Sequence, residues 1–387
     1  MPTTGRQSAP RDDVFWMART LDLAERGRGE TNPNPMVGCV IVKDDRVVAE
    51  AWHRRAGAPH AEVLALERAG VNARGATLYV NLEPCAHQGR TPPCAPSLAA
   101  AGLRRVVVAA RDPNPAVDGR GLALLRRAGV AVTAGVMESD ALLLNEPFMV
   151  AARRRRPFVL LKAALTLDGM IATRSGDSEW ITSPAQRDEA RRMRRRHDAV
   201  AIGIGTALAD DPLLLPRPAV RRPFHRIVFD SSLRLPPDSR LARSARRSPV
   251  WVICLRADPR RRRRLEARGV NVVVAPGRAG RVSLPWALVE MRRRGLWSLM
   301  VEGGSELLGS FLAARLVDQV ALFRAPLLLG GRDSRPAFGG HGPARVREGL
   351  HLTRRSPLLG RDRGAEAAPP SYDGLFQLWY PHRAGGR

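Results

Sequence analysis

Apolar positions in the first 150 residues alternate between two periods. Residues 13–27 place apolar side chains at helical spacing, whereas short β-branched runs bounded by turn residues are typical of strands. The predicted helices cover 13–27, 61–70, 96–102 and 121–129, and the predicted strands cover 37–44, 46–52, 76–84, 104–113 and 130–136. This alternation predicts a layered α/β domain.

A second α/β series begins at residue 158. It starts with a predicted strand at 158–166 and continues through apolar segments at 199–212, 225–230, 249–255, 270–276, 296–308 and 317–331. A strand precedes the glycine turn within 296–308, and 374–380 is predicted to be a closing strand. The segment 354–372 is rich in Pro, Gly and Arg and is predicted to be a loop. The charged stretch RRRRP at 153–157 predicts a junction between domains at 1–152 and 153–387.

The charge of the 387-residue chain is concentrated in its second part. The formal charge is +26; residues 1–150 contribute +2 and residues 151–387 contribute +24. Nearly all the basic residues are Arg, with Lys only at 43 and 162. Such a charge attracts nucleic acid, membrane surfaces or phosphorylated metabolites. An Arg-biased composition spread over solvated helix faces is the interpretation we favour, because the first half is nearly neutral.

The composition excludes several classes of protein. No apolar run approaches 18 residues and the start lacks an apolar signal core, so neither a membrane span nor secretion is expected. Four Cys are too few for a secreted disulfide scaffold, and a clustered pair favours metal binding in a cytoplasmic protein.

One short region combines residue types that bind zinc. His60 precedes a predicted helix, and Cys85 and Cys94 bracket a loop after a predicted strand. One imidazole and two thiolates leave a fourth zinc position for water, whose pKa the metal lowers towards neutrality. Glu62 is placed to move the proton to a leaving amine, as in zinc-dependent base deaminases.

The same residues allow simpler interpretations. A purely structural zinc site with His87 as fourth ligand would leave Glu62 without a role. Cys39 and Cys254 lie in apolar strand runs and are expected to be buried packing residues.

Two glycine turns in the second half favour phosphate binding. GIGT (203–206) and EGGS (302–305) let backbone amides approach a phosphate, and the second precedes a helix N-terminus. Neither is the G-x-G-x-x-G dinucleotide fingerprint, and ordinary turn glycines are the alternative.

These motifs together resemble a known family. TNPNPMVGCVIV, WHRRAGAPHAEVLAL, YVNLEPCAHQGRTPPC and DPNP in the first half, and LKAALTLDGMIA, SGDSEWITS, GIGTALADDPLLLPR and VEGGSELL in the second, are similar to the bifunctional riboflavin-biosynthesis deaminase–reductases of bacteria. The eight residues between Cys85 and Cys94 match that family, whereas many nucleoside and tRNA deaminases have C-x-x-C.

The resemblance implies a fold, two reactions and two cofactors. The first domain would have the three-layer cytidine-deaminase fold and use Zn²⁺ to deaminate 2,5-diamino-6-(5-phosphoribosylamino)pyrimidin-4(3H)-one. The second would resemble dihydrofolate reductase and use NADPH to reduce the ribosyl group of the product to ribityl. The family also implies a homo-oligomer that acts on small molecules.

The resemblance also implies site residues. Glu62, Lys162 and Asp210 would be catalytic, and His60, Cys85 and Cys94 would bind the metal. The cofactor-binding positions would be Ala164, Trp180, Gly203, Gly205, Thr206, Asp210, Ser231, Gly303, Gly304 and Ser305. The substrate-binding positions would be Asn34, His53, Arg90, Asp112, Ser178, Arg194, Leu213, Arg217 and Glu302. For single positions the alternatives are structural: core packing for Trp180, a turn residue for Asn34 or Asp112, and a solvated loop for Arg90.

A different function remains open on the residues alone. A zinc-dependent nucleic-acid base deaminase with a basic RNA-binding second domain would explain the charge. The long Cys–Cys loop, the 5% aromatic content and the reductase motifs argue against that function and against a nucleic-acid partner.

Overall fold

A computed structural model describes residues 11–88, 92–114, 117–354 and 376–381. Within it the chain divides into two compact units, Met1–Arg153 and Arg154–Arg387. No helix among the described residues is long and apolar enough to cross a membrane.

The first unit is a sheet between two layers of helices. Its helices are α1 (Asp13–Glu25), α2 (Ala61–Ala69), α3 (Cys94–Ala100), α4 (Arg120–Arg127), α5 (Glu138–Leu144) and α6 (Glu146–Arg154). Its strands are β1 (Gly38–Lys43), β2 (Arg46–Trp52), β3 (Thr77–Leu82), β4 (Arg105–Ala110) and β5 (Ala131–Ala134). The strand order is β2-β1-β3-β4-β5, and only β1 runs antiparallel to its neighbours.

Alternation along the strands sends side chains to both faces of this sheet. Cys39 and Ile41 of β1 pack with Leu98 of α3 on one face, whereas Val40 packs with Met17 of α1 on the other. Both faces are therefore covered by helices, which confirms the expected three-layer α/β fold.

The second unit is built on a larger, mixed sheet. Its strands are β6 (Phe158–Thr166), β7 (Met170–Ala172), β8 (Ala199–Gly203), β9 (His225–Phe229), β10 (Val250–Cys254), β11 (Asn271–Val274), β12 (Gly277–Arg278), β13 (Arg281–Val282), β14 (Ser298–Gly303), β15 (Gln319–Ala325), β16 (Arg335–Pro336), β17 (Leu352–Arg354) and β18 (Phe376–Pro381). Its helices are α7 (Pro184–Arg195), α8 (Ile204–Asp210), α9 (Arg240–Arg243), α10 (Pro259–Ala267), α11 (Leu284–Arg293) and α12 (Ser305–Ala313).

The strand order of the main sheet creates the crevice that holds the second site. The order is β11-β10-β9-β8-β14-β6-β15-β18-β17, parallel from β11 to β15. The chain leaves β6, passes over one position to β8, and later returns to fill the gap with β14. The carboxyl ends of β8, β14 and β6 thus lie side by side, which is where ligands bind in open α/β sheets.

Candidate functional site

Three element ends bring the predicted metal ligands together. His60 lies immediately before α2, Cys85 follows the end of β3, and Cys94 is the first residue of α3. The His60 imidazole and the two thiols all lie within 4.8 Å of one another. His60 Nδ1 is 3.0 Å from Cys94 Sγ and 3.6 Å from Cys85 Sγ.

The donor chemistry of this cluster suits zinc. Hydrogen bonding from Cys94 holds the pKa of the Cys85 thiol at about 4, while the same interaction raises the pKa of Cys94. The backbone N–H of Cys94 also donates to Cys85 Sγ at 3.3 Å. Since thiolate is the metal-binding form of Cys, the site is prepared for a cation. His87 is not part of the cluster among the described residues, so the fourth ligand of the structural alternative is missing there.

Glu62 lies in the first turn of α2, beside the cluster. Its side chain is buried, and Oε2 has no hydrogen-bond partner among the described residues. Burial raises the pKa of this carboxyl. A buried carboxyl with an open oxygen next to a metal site is suited to exchange protons with a ligand.

His53 and Asn34 form a polar pair near the same ligands. His53 Nδ1 lies 3.1 Å from the Pro59 carbonyl oxygen, which can only accept, so Nδ1 carries the proton. His53 Nε2 then accepts from Asn34 Nδ2 at 3.1 Å. Burial lowers the pKa of His53, which favours this neutral form. The rings of His53 and His60 meet edge to face at 5.5 Å.

Asp112 follows β4 in the same unit. Its Oδ1 accepts from the Asn114 N–H at 2.8 Å, which is the turn contact expected as the alternative to a binding role. Burial nevertheless raises its pKa to about 6, well above the ordinary range of an Asp carboxyl. Arg90, the predicted phosphate ligand, lies outside the described residues.

The second site is a cleft of about 2,200 Å³ at the carboxyl ends of the parallel strands. The predicted residues that line it are Lys162, Ala164, Ser178, Trp180, Arg194, Gly203, Gly205, Thr206, Asp210, Leu213, Arg217, Ser231, Glu302, Gly304 and Ser305. Gly303 is buried at the end of β14 rather than among the lining residues.

A buried charge cluster forms one wall of the cleft. Arg194 makes a two-pronged ion pair with Glu302, with 2.9 Å between Nη2 and Oε2. Lys162 Nζ lies 3.9 Å from the same oxygen. Burial would raise the pKa of Glu302, but Arg194 outweighs it and holds that pKa below its ordinary value. Burial lowers the pKa of Lys162, and Glu302 opposes that change.

This ion pair changes the interpretation of Arg194. Its Nη1 also donates to the Leu215 carbonyl at 3.1 Å, so the guanidinium is held by the protein itself. Arg217 is exposed on the cleft, and its described contact is a backbone one, to the Arg191 carbonyl. Arg217 therefore has the freer guanidinium for a phosphate.

The glycine turns lie next to one another because β8 and β14 are neighbours. A Cβ on Gly303 or Gly304 would approach the Thr206 side chain to 3.2 or 3.1 Å, and Gly304 has a φ of +74°. The EGGS turn leads directly into α12. Crowding by Thr206 and the positive φ account for the two glycines, and the position of the turn at the N-terminus of α12 favours phosphate binding.

Trp180 is 66% exposed, which excludes the core-packing alternative. The Arg187 guanidinium lies 4.3 Å from the centre of its ring. One face of the indole is thus held by a cation while the side chain remains open to the cleft. Lys162 and Asp210, the two predicted reductase catalysts, both line the cleft, but the ion-pair partner of Lys162 is Glu302.

Two buried residues near the sites were not predicted. Arg226 is fully buried and donates to the Leu213 carbonyl at 3.1 Å, which anchors the loop that carries Arg217. Glu83 is buried directly after β3, at the start of the segment that leads to Cys85. Glu83 could have been selected from the sequence because it lies inside the LEPC motif. Arg226 could not, because its position in the apolar strand β9 carries no motif.

Comparison with protein families gives one match for each half of the chain. The family described as "Cytidine and deoxycytidylate deaminase zinc-binding region" matches residues 10–110. The family described as "RibD C-terminal domain" matches residues 157–356.

Similar proteins cover nearly the whole chain. The riboflavin biosynthesis protein RibD of Actinobacillus pleuropneumoniae is 40% identical over 352 residues, 90% of this chain and 93% of that protein. RibD of Escherichia coli is 42% identical over 82% of this chain and 89% of that protein. Among solved structures, Acinetobacter baumannii RibD matches with a TM-score of 0.81 at 34% identity, covering 96% of this chain and 99% of that one.

A second solved structure carries a fuller description. The diaminohydroxyphosphoribosylaminopyrimidine deaminase/5-amino-6-(5-phosphoribosylamino)uracil reductase of Thermotoga maritima has a TM-score of 0.79 and 32% identity. The match covers 95% of this chain and 98% of that one.

Proposed function

The chain belongs to the RibD family of bifunctional riboflavin-biosynthesis enzymes, and from this premise we propose which of its two units carries each activity. It is a deaminase and a reductase in one chain, and its family implies Zn²⁺ and NADPH as cofactors. We assign the deaminase to residues 1–152 and the reductase to 153–387. The two family matches, at 10–110 and 157–356, support this assignment.

The proposed first substrate is 2,5-diamino-6-(5-phosphoribosylamino)pyrimidin-4(3H)-one, whose ring amine leaves as ammonia. The proposed second substrate is the product, 5-amino-6-(5-phosphoribosylamino)uracil, whose ribosyl group is reduced to ribityl. The description of the Thermotoga maritima relative supports both substrates.

One observation carries the deaminase assignment: three metal-binding side chains within 4.8 Å stand beside the open, buried carboxyl of Glu62. His60, Cys85 and Cys94 would hold the ion. When bound, zinc would lower the pKa of a water molecule towards neutrality. Glu62 takes up a proton at Oε2 and delivers it to the departing amine, a role that its raised pKa supports.

The neighbouring polar residues orient the pyrimidine. His53 is held neutral with Nδ1 protonated, so its ring and the Asn34 amide present a fixed donor–acceptor pattern. Asp112 provides a further carboxyl at the same end of the sheet. Arg90 is retained as the proposed phosphate ligand of the deaminase, on the family resemblance alone.

In the reductase cleft, NADPH supplies the hydride and the protein positions and protonates the sugar. Lys162, whose Nζ lies 3.9 Å from Glu302, would donate a proton towards the ribosyl oxygen. Asp210 is the second candidate for this proton relay. The Gly203–Thr206 and Gly303–Ser305 turns would hold the cofactor phosphates, and Trp180 would cover its ring system.

The other cleft residues divide between cofactor and substrate. Arg217 would bind the substrate phosphate, since its guanidinium is exposed to the cleft. Arg194 would act mainly by fixing Glu302. We assign Ala164 and Ser231 to the cofactor and Ser178 and Leu213 to the substrate.

We further propose that the protein is a cytoplasmic homo-oligomer without a nucleic-acid partner. The family membership favours small-molecule substrates over the RNA-deaminase alternative. The Arg excess of residues 151–387 is then a solvated surface that also attracts phosphorylated substrates.

The assignment is tested with purified, zinc-loaded protein and the diaminopyrimidine ribotide. We expect stoichiometric ammonia release, followed by NADPH oxidation only after deamination. A structured RNA is offered in parallel. Ammonia from the RNA and none from the ribotide would overturn the proposal in favour of a nucleic-acid deaminase.

A further inference from the structure

Glu83 is a buried carboxylate that the two reactions leave without a role. It is the first residue after β3 and lies two residues before the metal ligand Cys85. Its side chain is 3% exposed, and it has no ion pair among the described residues. A buried carboxylate is costly unless hydrogen bonds satisfy it.

Four backbone N–H groups satisfy this carboxylate. Oε1 accepts from Gly121 at 3.0 Å and from Leu122 at 3.3 Å. Oε2 accepts from Gly119 at 3.0 Å and from Asp112 at 3.4 Å. One donor is Asp112 at the start of its turn, and the other three lie at the start of α4, so one side chain binds two segments of backbone.

A close backbone contact joins the same two regions. A Cβ on Gly121 would lie 2.0 Å from the Pro84 carbonyl oxygen, so only glycine allows α4 to approach so closely. Pro84 directly precedes Cys85, whose carbonyl in turn accepts from the Ala95 N–H at 3.0 Å. The start of α4 is therefore packed against the backbone that carries the metal ligand.

We propose that Glu83 is a positioning residue of the deaminase site, which holds the Asp112 turn and the start of α4 against the segment after β3 that carries Cys85. Its carboxylate acts as a four-point clamp between a substrate residue and a metal ligand. The part that concerns Asp112 rests on the proposed function. The part that concerns Cys85 rests on the geometry of the metal ligands alone.

The clamp is first tested in the wild-type chain by hydrogen exchange. The proposal predicts that the amides of residues 119, 121 and 122 exchange slowly although they lie at a loop-to-helix junction, because a buried acceptor holds them. Exchange as fast as that of unbonded loop amides would overturn the proposal, whether or not any variant folds.

The second test compares Glu83→Gln with Tyr79→Phe. The amide of Gln presents a donor to two backbone N–H groups that need an acceptor. Tyr79→Phe removes the bond from Tyr79 Oη to Asp13 Oδ1, 2.9 Å, on the same strand but away from the clamp. Three quantities are measured in each variant: KM for the diaminopyrimidine ribotide, the rate of zinc release to a chelator, and reductase activity on the deaminated substrate.

For Glu83→Gln we expect about a tenfold or larger rise in KM and in the zinc-release rate, as for lost outer-shell partners of metal ligands. Reductase activity should stay at the wild-type level, and Tyr79→Phe should change none of the three. Gly121→Ala, which separates α4 from Pro84, should reproduce the Glu83→Gln result. If Glu83→Gln has the same zinc-release rate and the same KM as Tyr79→Phe, Glu83 only stabilises the fold.

The same data separate this proposal from the proposed function. If the wild type releases no ammonia from the ribotide, the substrate assignment fails. The rate of zinc release from Glu83→Gln, compared with the rate from Tyr79→Phe, still decides whether Glu83 positions the loop that carries the metal ligands.

Discussion

Replacing Glu302 by Gln tests the role of the buried charges in the reductase cleft. The substitution keeps the size of the side chain and removes its negative charge. Arg194 and Lys162 then remain as two cations in one buried cluster, since Glu302 is their shared partner at 2.9 and 3.9 Å. The change should affect both stability and the pH dependence of hydride transfer.

Two magnitudes follow from these distances. Breaking a buried ion pair by removing one partner costs about 3–5 kcal/mol of stability, because the other charge is left uncompensated. Unit charges about 4 Å apart interact by roughly 4 kcal/mol at an effective dielectric constant of about 20, which bounds the electrostatic support that Lys162 loses. Both effects are large enough to measure.

The direction of the pH effect follows from the charge of Lys162. Burial lowers the pKa of Lys162, Glu302 raises it, and Arg194 lowers it. In Glu302→Gln the raising influence is gone, so the pKa of Lys162 falls further. If the ammonium form donates the proton, reductase activity declines as the pH rises through this pKa. The decline must therefore begin at a lower pH in the variant.

The assay follows NADPH absorbance with the deaminated substrate across a pH series. Glu266→Gln is the matched control, because its ion pair with Arg262 at 2.8 Å is at the surface and should contribute at most about 1 kcal/mol. A decline at the same or a higher pH in Glu302→Gln would refute the role of Lys162 as the proton donor. A free energy of unfolding in denaturant equal to that of the wild type would refute the strength assigned to the buried charge cluster.

Three further predictions concern metal binding and stability. Cys94→Ser should lose zinc affinity by more than the roughly 10–100-fold cost of an outer-shell partner and abolish ammonia release, with reductase activity intact; metal analysis and both assays check this. Asp318→Asn should destabilise the second unit by about 3–5 kcal/mol in denaturant unfolding, because the buried Asp318 pairs with Arg156 at 2.6 Å; a change below 1 kcal/mol would contradict it. Gly38→Ala should cost about 3 kcal/mol in thermal unfolding, because the new Cβ would lie 2.1 Å from the Thr20 carbonyl oxygen, and an unshifted melting temperature would contradict the packing of α1 on β1.

Elements with strong apolar patterns were predictable from the sequence. The strand expected at 158–166 has those bounds in the structure, as does the strand expected at 46–52. Cys39 and Cys254 are buried, as expected for packing residues. These elements are decided by local β-branched runs and turns, which a sequence displays directly.

Arg-rich helices were not predictable in the same way. In α10 only Leu265 is buried, so the helix carries no apolar stripe that periodicity could reveal. Helix α7 contains five Arg and few apolar residues, so its periodicity is weak. Its start is marked only by the Ser183 capping box. Tertiary packing and caps, rather than an apolar face, define both helices.

The two sites differ in how much of them the sequence contains. His60, Cys85 and Cys94 lie within 35 positions on motifs of fixed spacing, so their cluster could be expected before the structure. The pair of Arg194 and Glu302 spans 108 positions and exists only because α7 packs beside β14. A contact of that kind depends on the sheet order, which the motifs do not encode.

The central claim is that one chain carries two consecutive activities in separate units. It is tested most directly by mixing Glu62→Gln with Lys162→Ala and supplying the diaminopyrimidine ribotide and NADPH. Alone, Lys162→Ala should release ammonia without oxidising NADPH, and Glu62→Gln should do neither; together they should restore NADPH oxidation. NADPH oxidation by Glu62→Gln alone, or no ammonia from Lys162→Ala, would contradict the account.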